Sequence, residues 1–265
     1  MPAASLITLL TDFGVQDTYV AQMKGVILGL NPNATIVDVT HAIAPQDVFH
    51  GAICFDEAFD AFPPGTIHVV VVDPGVGSAR RRIGVELGGQ RFVGPDNGLL
   101  SLVARRYPVR RVHELVASQF HRQPVSPTFH GRDIFSPVAA YWSLGEDLSH
   151  FGPPVDSSLV ELQAPKITRF EHEIVGQIIA IDRFGNLISN ITQSDLPSDS
   201  TELVTQIAGR RLQGLNQFYA QQPHGAVLVL LSSGGRLEIA RNGGSASQIL
   251  QVGIGERVHV SWHVA

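Results

Sequence analysis

The chain has 265 residues, of which 44% are apolar and only 16% are charged. Its formal net charge of −5, with no basic run longer than Arg80–Arg82, argues against nucleic-acid binding. No apolar stretch approaches the ~20 residues needed to cross a bilayer, so a membrane-spanning protein is not expected either.

The composition also carries expectations about compartment and assembly. The single cysteine, Cys54, cannot form an internal disulfide, which suits a reducing compartment. The apolar run before Asp12 is too short for a signal peptide and lacks a basic start, so a cytoplasmic protein is expected. The charged fraction lies below the roughly 25% of typical soluble proteins, which suggests that oligomerisation covers part of the surface.

The first 150 residues alternate strand and helix patterns, which is typical of an α/β sheet with right-handed crossovers. Near Gly88 and Gly89 the sequence predicts a short hairpin, and Asp96 or Asn97 is predicted to cap a helix that follows. The unbroken apolar run of the third strand favours burial on both faces of a parallel sheet. The other predicted elements are strands at 5–12, 35–41 and 66–77, and helices within 17–32, 45–65 and 132–147.

From Phe151 the pattern changes. The stretch 151–170 is rich in proline and serine, lacks helical periodicity and is interpreted as a linker. Beyond about Ile174 the segments are short, β-like and separated by glycines, with a helix possible only near Ser245–Leu250. We therefore predict an N-terminal α/β domain with a mainly parallel central sheet, residues 1–160, and a small C-terminal antiparallel β-barrel domain, residues 161–265.

Polar residues follow the predicted strands of the first domain. Asp12, His41 and Asp73 each end a strand, and the stretch His130–Asp133 precedes a helix. Ligands of open α/β sheets bind outside the carboxyl ends of the strands, so these groups are candidates for one site. Three of them could instead be structural: Asp12 as a helix cap, His41 as a core histidine, and Asp133 as a cap or as a partner of Arg132. Four such side chains could also ligate a metal, but none shows the compact helical spacing of a metal site, and no metal is expected.

Common catalytic motifs are missing. There is no P-loop, the "PGVG" at Pro74–Gly77 lacks the third glycine of a dinucleotide fingerprint, and no G-x-S-x-G elbow occurs. Cys54 lies in an amphipathic helix and is interpreted as a small buried hydrophobe rather than a nucleophile.

Seven motifs together resemble one family. They are "TLLTDFG" followed by Asp17, "VDVTH.I.P.DV", "VVVVDPGVGS.RR", "GPDNGLL", "TFHGRDIFSPVAA", "IDRFGNLISNI" and "GRLEIARNGG", in order from residue 8 to about 245. The chain thereby resembles the S-adenosyl-L-methionine (SAM) hydroxide adenosyltransferases, or SAM hydrolases, which are related to the fluorinase and chlorinase. The resemblance implies an α/β domain plus a β-barrel domain, and a homotrimer that binds substrate between neighbouring subunits.

The resemblance also assigns a catalytic set. Hydrolases of this family carry an Asp–Arg–His set that falls on Asp73, Arg80 and His130. The implied reaction is attack of water or hydroxide on ribose C5′ of SAM, giving adenosine and L-methionine. SAM is then the substrate and no cofactor is expected. The halogenases have an aromatic residue in place of Asp73, and the fluorinase has serine in place of Gly131, so halide chemistry is the less favoured branch.

Substrate contacts follow from the same resemblance. Asp12 should accept two hydrogen bonds from the ribose diol. Asp17 and Asp182 suit the ammonium end of methionine, and Ser233 suits its carboxylate region. Two departures affect these contacts: Gly234 stands where the halogenases have an arginine, and Gln46 stands where the fluorinase has an aromatic residue over the ribose.

Adenine contacts are implied in the second domain. Asn186 suits the adenine edge, Phe218 or its neighbour Tyr219 could stack on the purine, and the backbone around Arg241–Gly243 should read the exocyclic amine. Asp17 could instead be an ordinary helix cap, and "DRFGN" at 182–186 a plain hairpin turn.

Three points stay open at the level of sequence. Either His130 or Asp73 could be the formal base. A halide-dependent SAM adenosyltransferase is an alternative enzymatic function. A non-catalytic adenosine- or SAM-binding protein is a third, although a binder would not need the Asp73–Arg80–His130 set.

Overall fold

A computed structural model describes residues 6–156, 158–197 and 203–262 of the chain. The chain divides into two compact units, residues 1–162 and 163–265. The first unit contains, in chain order, β1 (Leu6–Thr11), α1 (Tyr19–Leu30), β2 (Thr35–Thr40), α2 (Val48–Phe59), β3 (Ile67–Val71), β4 (Arg82–Leu87), β5 (Gln90–Pro95), α3 (Ser101–Arg106), β6 (Val109–Glu114) and α4 (Ser136–Ser143).

The six strands of the first unit form one mixed sheet in the order β2-β1-β3-β5-β4-β6. The four strands β2, β1, β3 and β5 run parallel, whereas β4 and β6 are antiparallel to their neighbours. The predicted α/β fold with a mainly parallel sheet is therefore confirmed. Strand β6 was not predicted, because its sequence "VRRVHE" carries charges on both faces of an edge strand.

Strand β3 lies in the middle of the core, as its apolar run predicted. Val69 and Val71 pack on one side of the sheet with residues of α1 and α4. Val70 and Val72 pack on the other side with residues of α2 and α3. Burial of each such side chain stabilises the fold by about 1.5–3 kcal/mol, so the sheet gives a rigid base to the loops that follow its strands.

The predicted cap of the third helix is wrong. Helix α3 begins after Leu100 and has no side-chain cap. Asp96 instead accepts hydrogen bonds from the Arg81 Nε (2.7 Å) and the Val160 backbone N–H (2.9 Å). Asn97 donates from Nδ2 to the Val72 carbonyl at 2.8 Å. Tertiary partners thus occupy Asp96, whereas the Asn97 Oδ1 accepts from the Leu99 backbone N–H at 3.4 Å, ahead of the first helical residue.

The second unit contains β7 (Thr168–Arg169), β8 (Glu173–Ile181), β9 (Leu187–Thr192), β10 (Leu203–Ile207), β11 (Arg210–Gln213), β12 (Val227–Leu231), β13 (Arg236–Arg241), α5 (Ala246–Leu250) and β14 (Arg257–Trp262). Its strands form an antiparallel sheet in the order β11-β10-β14-β8-β9-β13-β12, with β7 paired to β8. This nearly closed, barrel-like sheet confirms the predicted β-barrel. The hairpin β10–β11 was not predicted.

No helix among the described residues is long and apolar enough to cross a membrane.

A buried histidine links β3 to its two neighbouring strands, β1 and β5. His68 on β3 lies beside Thr8 on β1, and its Nδ1 is 2.7 Å from the Thr8 Oγ1. Its Nε2 contacts the Gln90 Oε1, and the Gln90 Nε2 donates to the Phe59 carbonyl at 3.0 Å. Burial lowers the pKa of His68 to about 4, although the hydrogen bond to Gln90 opposes that shift. The imidazole is therefore neutral in the folded protein near pH 7.

This environment predicts that stability falls in mild acid. The unfolded state takes up a proton at His68 near pH 6.5, whereas the folded state does so only near pH 4. The free energy of unfolding should therefore fall by about 3 kcal/mol between these pH values. Denaturant unfolding at a series of pH values measures this slope, and Gln at position 68 should flatten it. Burial, Arg82 and His130 also lower the pKa of His121 to about 4. His121→Gln should therefore remove part of the pH dependence of stability that remains in His68→Gln. An unchanged slope in His68→Gln would contradict the assignment.

Candidate active site

Asp73 and Arg80 form a largely buried ion pair just beyond β3. The Arg80 Nε donates to the Asp73 Oδ1 at 3.0 Å, and the Arg80 Nη2 donates to the Asp73 Oδ2. The side chains are only 10% and 4% exposed. Two parallel hydrogen bonds fix the plane of the guanidinium, and screening by water is weak at such burial. The pair therefore orients Arg80 rigidly.

His130 completes a chain of three groups. Its Nδ1 lies 2.9 Å from the Arg80 Nη2, and the residue is 6% exposed. A guanidinium only donates hydrogen bonds, so Nδ1 must be the acceptor, and neutral His130 carries its proton on Nε2. Burial lowers the pKa of His130, and the positive charges of Arg80 and Arg82 lower it further. The structure thus brings together the three residues that the family resemblance assigned to the catalytic set, with His130 as a neutral N–H donor.

One donor of Arg80 is left over. Its Nη1 is buried and has no hydrogen-bond partner within the described part of the chain. The guanidinium carbon lies 5.5 Å from the centre of the Phe135 ring, which shields one face from water. Buried donors without partners are rare in native proteins and call for an explanation. A buried, positively charged donor without a partner among the described residues is suited to stabilise an anionic oxygen.

Two loops meet to build this arrangement. Gly77, in the loop that carries Asp73 and Arg80, has φ +79°, and a Cβ on it would lie 2.4 Å from the Pro127 carbonyl oxygen. The loop before His130 is held by Asp133, whose Oδ2 accepts from the Ser126 backbone N–H at 2.8 Å. Asp133 is fully buried. Close backbone approach at Gly77 lets the two loops dock.

Asp133 itself has a structural role. Its Oδ1 accepts from the Arg132 Nε at 2.7 Å and from the Arg122 Nη1 at 3.2 Å. The pairing with Arg132 that the sequence allowed is therefore present. Residues Gly131–Phe135 form a single π-helical turn between His130 and α4. Such turns occur mostly as single insertions in α-helices, and they are frequent at functional sites.

The other strand-end residues of the first unit have hydrogen-bond partners of their own. The Asp12 Oδ2 accepts from the Gln46 backbone N–H at 2.8 Å, so Asp12 caps no helix. The buried His41 lies with Nδ1 2.8 Å from the Thr11 Oγ1, which fits its structural reading. Asp17 is exposed and does not cap α1, whose N-cap residue is Thr18 and makes no side-chain cap bond.

An aromatic cluster adjoins His130. The rings of Phe13, Tyr19 and Phe129 lie 5.2–5.8 Å apart between centroids. A Cβ on Gly131 would lie 3.3 Å from the Met23 Sδ and 3.5 Å from the Phe13 ring. The position that is serine in the fluorinase is therefore tight here and suits glycine.

The second unit contains a cavity of about 500 Å³ that unites several predicted adenine contacts. Its walls are Phe184, Asn186, Tyr219, Arg241, Gly243, Gly244 and Ser245. Gly243 has φ +75°, and a Cβ on it would lie 2.3 Å from the His224 Nε2, so no larger residue fits without rearrangement. Tyr219 donates from its hydroxyl to the Glu238 Oε1 at 2.9 Å, and burial, together with Glu238, raises its pKa to about 12.

Asp182 and Asn186 form a hydrogen-bonded turn at the edge of this cavity. The Asp182 Oδ1 accepts from the Asn186 backbone N–H at 2.8 Å, and the Asp182 Oδ2 accepts from the Asn186 Nδ2 at 2.8 Å. "DRFGN" is therefore a real turn, and it also contributes Asn186 to the cavity wall. Ser233 is exposed in the β12–β13 turn and Phe218 is 55% exposed; neither lines the cavity.

Phe184 was missed by the sequence analysis. It lies inside the same turn, is 76% exposed and contributes a wall of the cavity. A large aromatic side chain held open on a turn between two polar residues was the available signal, since exposed aromatic rings commonly serve binding.

No group of three or more His, Cys, Asp or Glu side chains among the described residues could hold a metal ion.

Comparison with known proteins identifies the family. The model of the SAM hydroxide adenosyltransferase N-terminal domain matches residues 7–152, and that of the C-terminal domain matches residues 176–259. The chain belongs to the SAM hydroxide adenosyltransferase family. Its similarity to known members extends over nearly its whole length.

Relatives of two kinds are similar to this chain. A protein of Salinispora tropica named (R)-S-adenosyl-L-methionine hydrolase is 39% identical over 96% of this chain and 97% of its own. One of the same name from Thermus thermophilus is 36% identical over 92% and 94%. A fluorinase of Nocardia brasiliensis is 28% identical over 96% and 97%. The crystal structure of an uncharacterized conserved protein from Thermotoga maritima matches with a TM-score of 0.90 and 34% identity, over 96% of this chain and 99% of that one.

The pKa of His130 provides a direct check of the site. Replacing Arg80 with Met removes a neighbouring positive charge, so the pKa of His130 should rise. Imidazole ¹⁵N NMR should also show the proton on Nε2 in the unchanged protein. Arg105→Met is the control, because within the described part of the chain Arg105 donates only to the Leu162 carbonyl, at 3.1 Å. If the protein with Arg80→Met does not fold because Asp73 has lost its partner, the double variant Arg80→Met, Asp73→Asn replaces it. In this variant no unpaired charge is left at the site. A wild-type spectrum with the proton on Nδ1 would refute the arrangement.

The close approach at Gly77 predicts a local stability cost. Ala at position 77 meets both a left-handed φ and the Pro127 carbonyl, and should lower the free energy of unfolding by about 1–3 kcal/mol. Gly65→Ala is the matched control, since Gly65 has φ +86° but open space around it. Denaturant unfolding compares the two variants. Equal losses would mean that the contact with Pro127 contributes nothing.

Proposed function

We propose that this chain hydrolyses SAM to adenosine and L-methionine. The relatives named (R)-S-adenosyl-L-methionine hydrolase match it along nearly their whole length. The observation that carries the proposal is the buried Nη1 of Arg80, which has no partner among the described residues, on a guanidinium whose Nη2 donates to neutral His130. Donors of this kind stabilise negative charge on an attacking oxygen, which is what this reaction requires.

The reaction is a displacement at ribose C5′. A water-derived oxygen forms a bond to C5′ while the bond from C5′ to sulfur breaks, and its electron pair neutralises the sulfonium. Methionine therefore leaves as a neutral thioether without a general acid, and one proton of the water is released. The remaining difficulty is the weak nucleophile.

Electrostatics can supply that nucleophile. Free water has a pKa of about 15.7, and each unit by which it falls corresponds to about 1.4 kcal/mol. A five-unit fall therefore requires roughly 7 kcal/mol. A guanidinium 10% exposed and pinned by Asp73 acts in a medium where charges interact far more strongly than in bulk water.

The geometry favours hydroxide stabilisation over a side-chain base. Both Asp73 oxygens already accept from Arg80, and the His130 Nδ1 accepts from the same guanidinium. The basic nitrogen of His130 is therefore engaged, and each Asp73 oxygen already accepts one hydrogen bond while these bonds last. We therefore assign Asp73 to the orientation of Arg80, and Arg80 and His130 to donation toward the nucleophile.

Substrate binding would involve both domains. In this proposal the domain of residues 1–160 supplies the Asp73–Arg80–His130 set and, through Asp12 and Asp17, contacts to ribose and ammonium. The domain of residues 161–265 recognises adenine and methionine. Its residues for these contacts are Asp182, Asn186, Phe218 or Tyr219, Ser233, Arg241 and Gly243. We add Phe184 as a purine contact, because it shares the cavity wall with Asn186 and Tyr219.

The assembly and compartment are part of the same proposal. The family resemblance supports a homotrimer that binds SAM between neighbouring subunits. The absence of an internal disulfide suits the cytoplasm. No cofactor is needed for a displacement whose leaving group is already activated.

Purified protein should release adenosine from SAM, measured by chromatography. The relatives' name specifies the (R) form, so each sulfonium epimer should be supplied separately, and we expect turnover of the (R) epimer. Chloride and fluoride test the halide alternative, which predicts 5′-halo-5′-deoxyadenosine. Asp73 and Gly131 favour hydrolysis over that branch. Binding of SAM without adenosine release would instead support a non-catalytic binder.

Arg80→Lys tests the proposed role of the guanidinium. An ammonium keeps the positive charge but cannot bond Asp73 and a nucleophile in one plane. Turnover should fall by about 10²–10³-fold, as for loss of one oxyanion donor, while the KM for SAM changes little. Arg105→Lys is the control. Wild-type turnover in Arg80→Lys would eliminate this account of water activation.

A further inference from the structure

Gln46 adopts an uncommon backbone conformation next to Asp12. Its φ is +68°, a left-handed value that is rare for a residue other than glycine or asparagine. Its backbone N–H donates to the Asp12 Oδ2 at 2.8 Å. Unfavourable backbone conformations persist where the surrounding structure enforces them, and they concentrate at functional sites.

The sequence around Gln46 explains this conformation as a type II turn. The Asp47 backbone N–H donates to the Ala44 carbonyl at 3.0 Å, and Pro45 and Gln46 occupy the two central positions. Proline at the first and a positive φ at the second central position define the type II turn, where glycine is the usual second residue. This chain has Gln instead.

The turn type decides which atom faces Asp12. Type I and type II turns differ by a flip of the peptide between the two central residues. In the observed turn this peptide directs the Gln46 N–H at Asp12. The flipped form would present the Pro45 carbonyl to the carboxylate and repel it.

Both sides of the turn are anchored. Asp47 is the N-cap residue of α2, and its Oδ1 accepts from the His50 backbone N–H at 2.9 Å. The Gly14 backbone N–H, two residues after Asp12, donates to the His41 carbonyl at 2.8 Å. The Gln46 N–H is therefore a fixed donor, and it occupies only part of the Asp12 carboxylate. The Asp12 Oδ1 has no hydrogen-bond partner among the described residues.

We infer that Gln46 is a positioning residue that orients Asp12 for the ribose diol. By engaging Oδ2 it restrains the rotation of the carboxylate and leaves Oδ1 available to the ligand. The inference rests on the proposed function, because it takes the ribose of SAM or adenosine as the partner of Asp12. It places the specificity for a diol-bearing ribose partly in a backbone turn.

Calorimetric binding of adenosine and 2′,3′-dideoxyadenosine tests this inference. Wild-type protein should bind adenosine more tightly. Gln46→Gly and Gln46→Asn tolerate a left-handed φ and should keep that preference. Gln46→Val has a branched side chain that disfavours this φ, so Asp12 should lose its orientation. Adenosine affinity should then fall by about tenfold, which is the effect of losing one hydrogen bond from the ribose to a charged carboxylate. Its affinity for the dideoxy compound should not change.

A matched control separates this effect from loss of stability. Ala208 in the β10–β11 turn also has a left-handed φ, +48°, and Ala208→Val imposes the same conflict. It should lower the unfolding midpoint and leave the ratio of the two affinities unchanged. If Gln46→Val does not fold, Gln46→Thr replaces it.

Two results would overturn the inference in distinguishable ways. If wild-type protein prefers adenosine and the Val or Thr variant keeps the full preference, Gln46 does not position Asp12, and the proposed function stands. If wild-type protein has no preference, the ribose contact of Asp12 itself is wrong.

Discussion

The bidentate pair between Asp73 and Arg80 is the interaction on which the candidate site depends. A guanidinium held by one hydrogen bond can rotate, whereas two bonds in one plane fix where its other nitrogen–hydrogen bonds are directed. The pair lies at the end of a strand buried on both faces, and its side chains are nearly excluded from solvent. Burial makes the pair costly to break, because either partner alone would be a desolvated charge. The sheet and the ion pair therefore stabilise one arrangement of Arg80.

That fixed guanidinium also determines the state of His130. An imidazole beside a positive charge and away from water stays neutral, and a nitrogen that accepts from arginine cannot hold the proton. His130 thus serves as a donor through Nε2. Asp73, Arg80 and His130 act as one unit in which the acid orients the cation and the cation sets the tautomer. A conventional base–nucleophile pair would need the opposite tautomer or a free carboxylate.

Sequence patterns predicted the local features of this site and missed those set by distant contacts. Val69–Val72 form an apolar run that predicts a strand buried on both faces, and Asp73 follows this run at the carboxyl end of the strand. The cap predicted at Asp96 is wrong because that side chain bonds Arg81 and Val160, and the cap predicted at Asn97 is wrong because its Oδ1 bonds Leu99 before the helix begins. The close approach of Gly77 to Pro127 could not be predicted from residue spacing or from hydrophobic periodicity, because the two residues lie 50 positions apart in the chain. Hairpin β10–β11 was missed because its strands are short and its turn uses Ala208–Gly209 rather than a usual pair such as Asn-Gly.

The two strand-end carboxylates of the first unit show how surroundings assign different duties to the same group. Both oxygens of Asp73 are occupied by Arg80, so this carboxylate has little left for a ligand and acts through the cation. Asp12 gives one oxygen to a backbone N–H and keeps the other. A neutral donor fixes the carboxylate without neutralising its charge, so Asp12 stays a strong acceptor for hydroxyl groups. An arginine in place of the Gln46 N–H would bond both oxygens of Asp12 and neutralise its charge, as Arg80 does at Asp73. A backbone N–H from a turn avoids this and therefore suits the position.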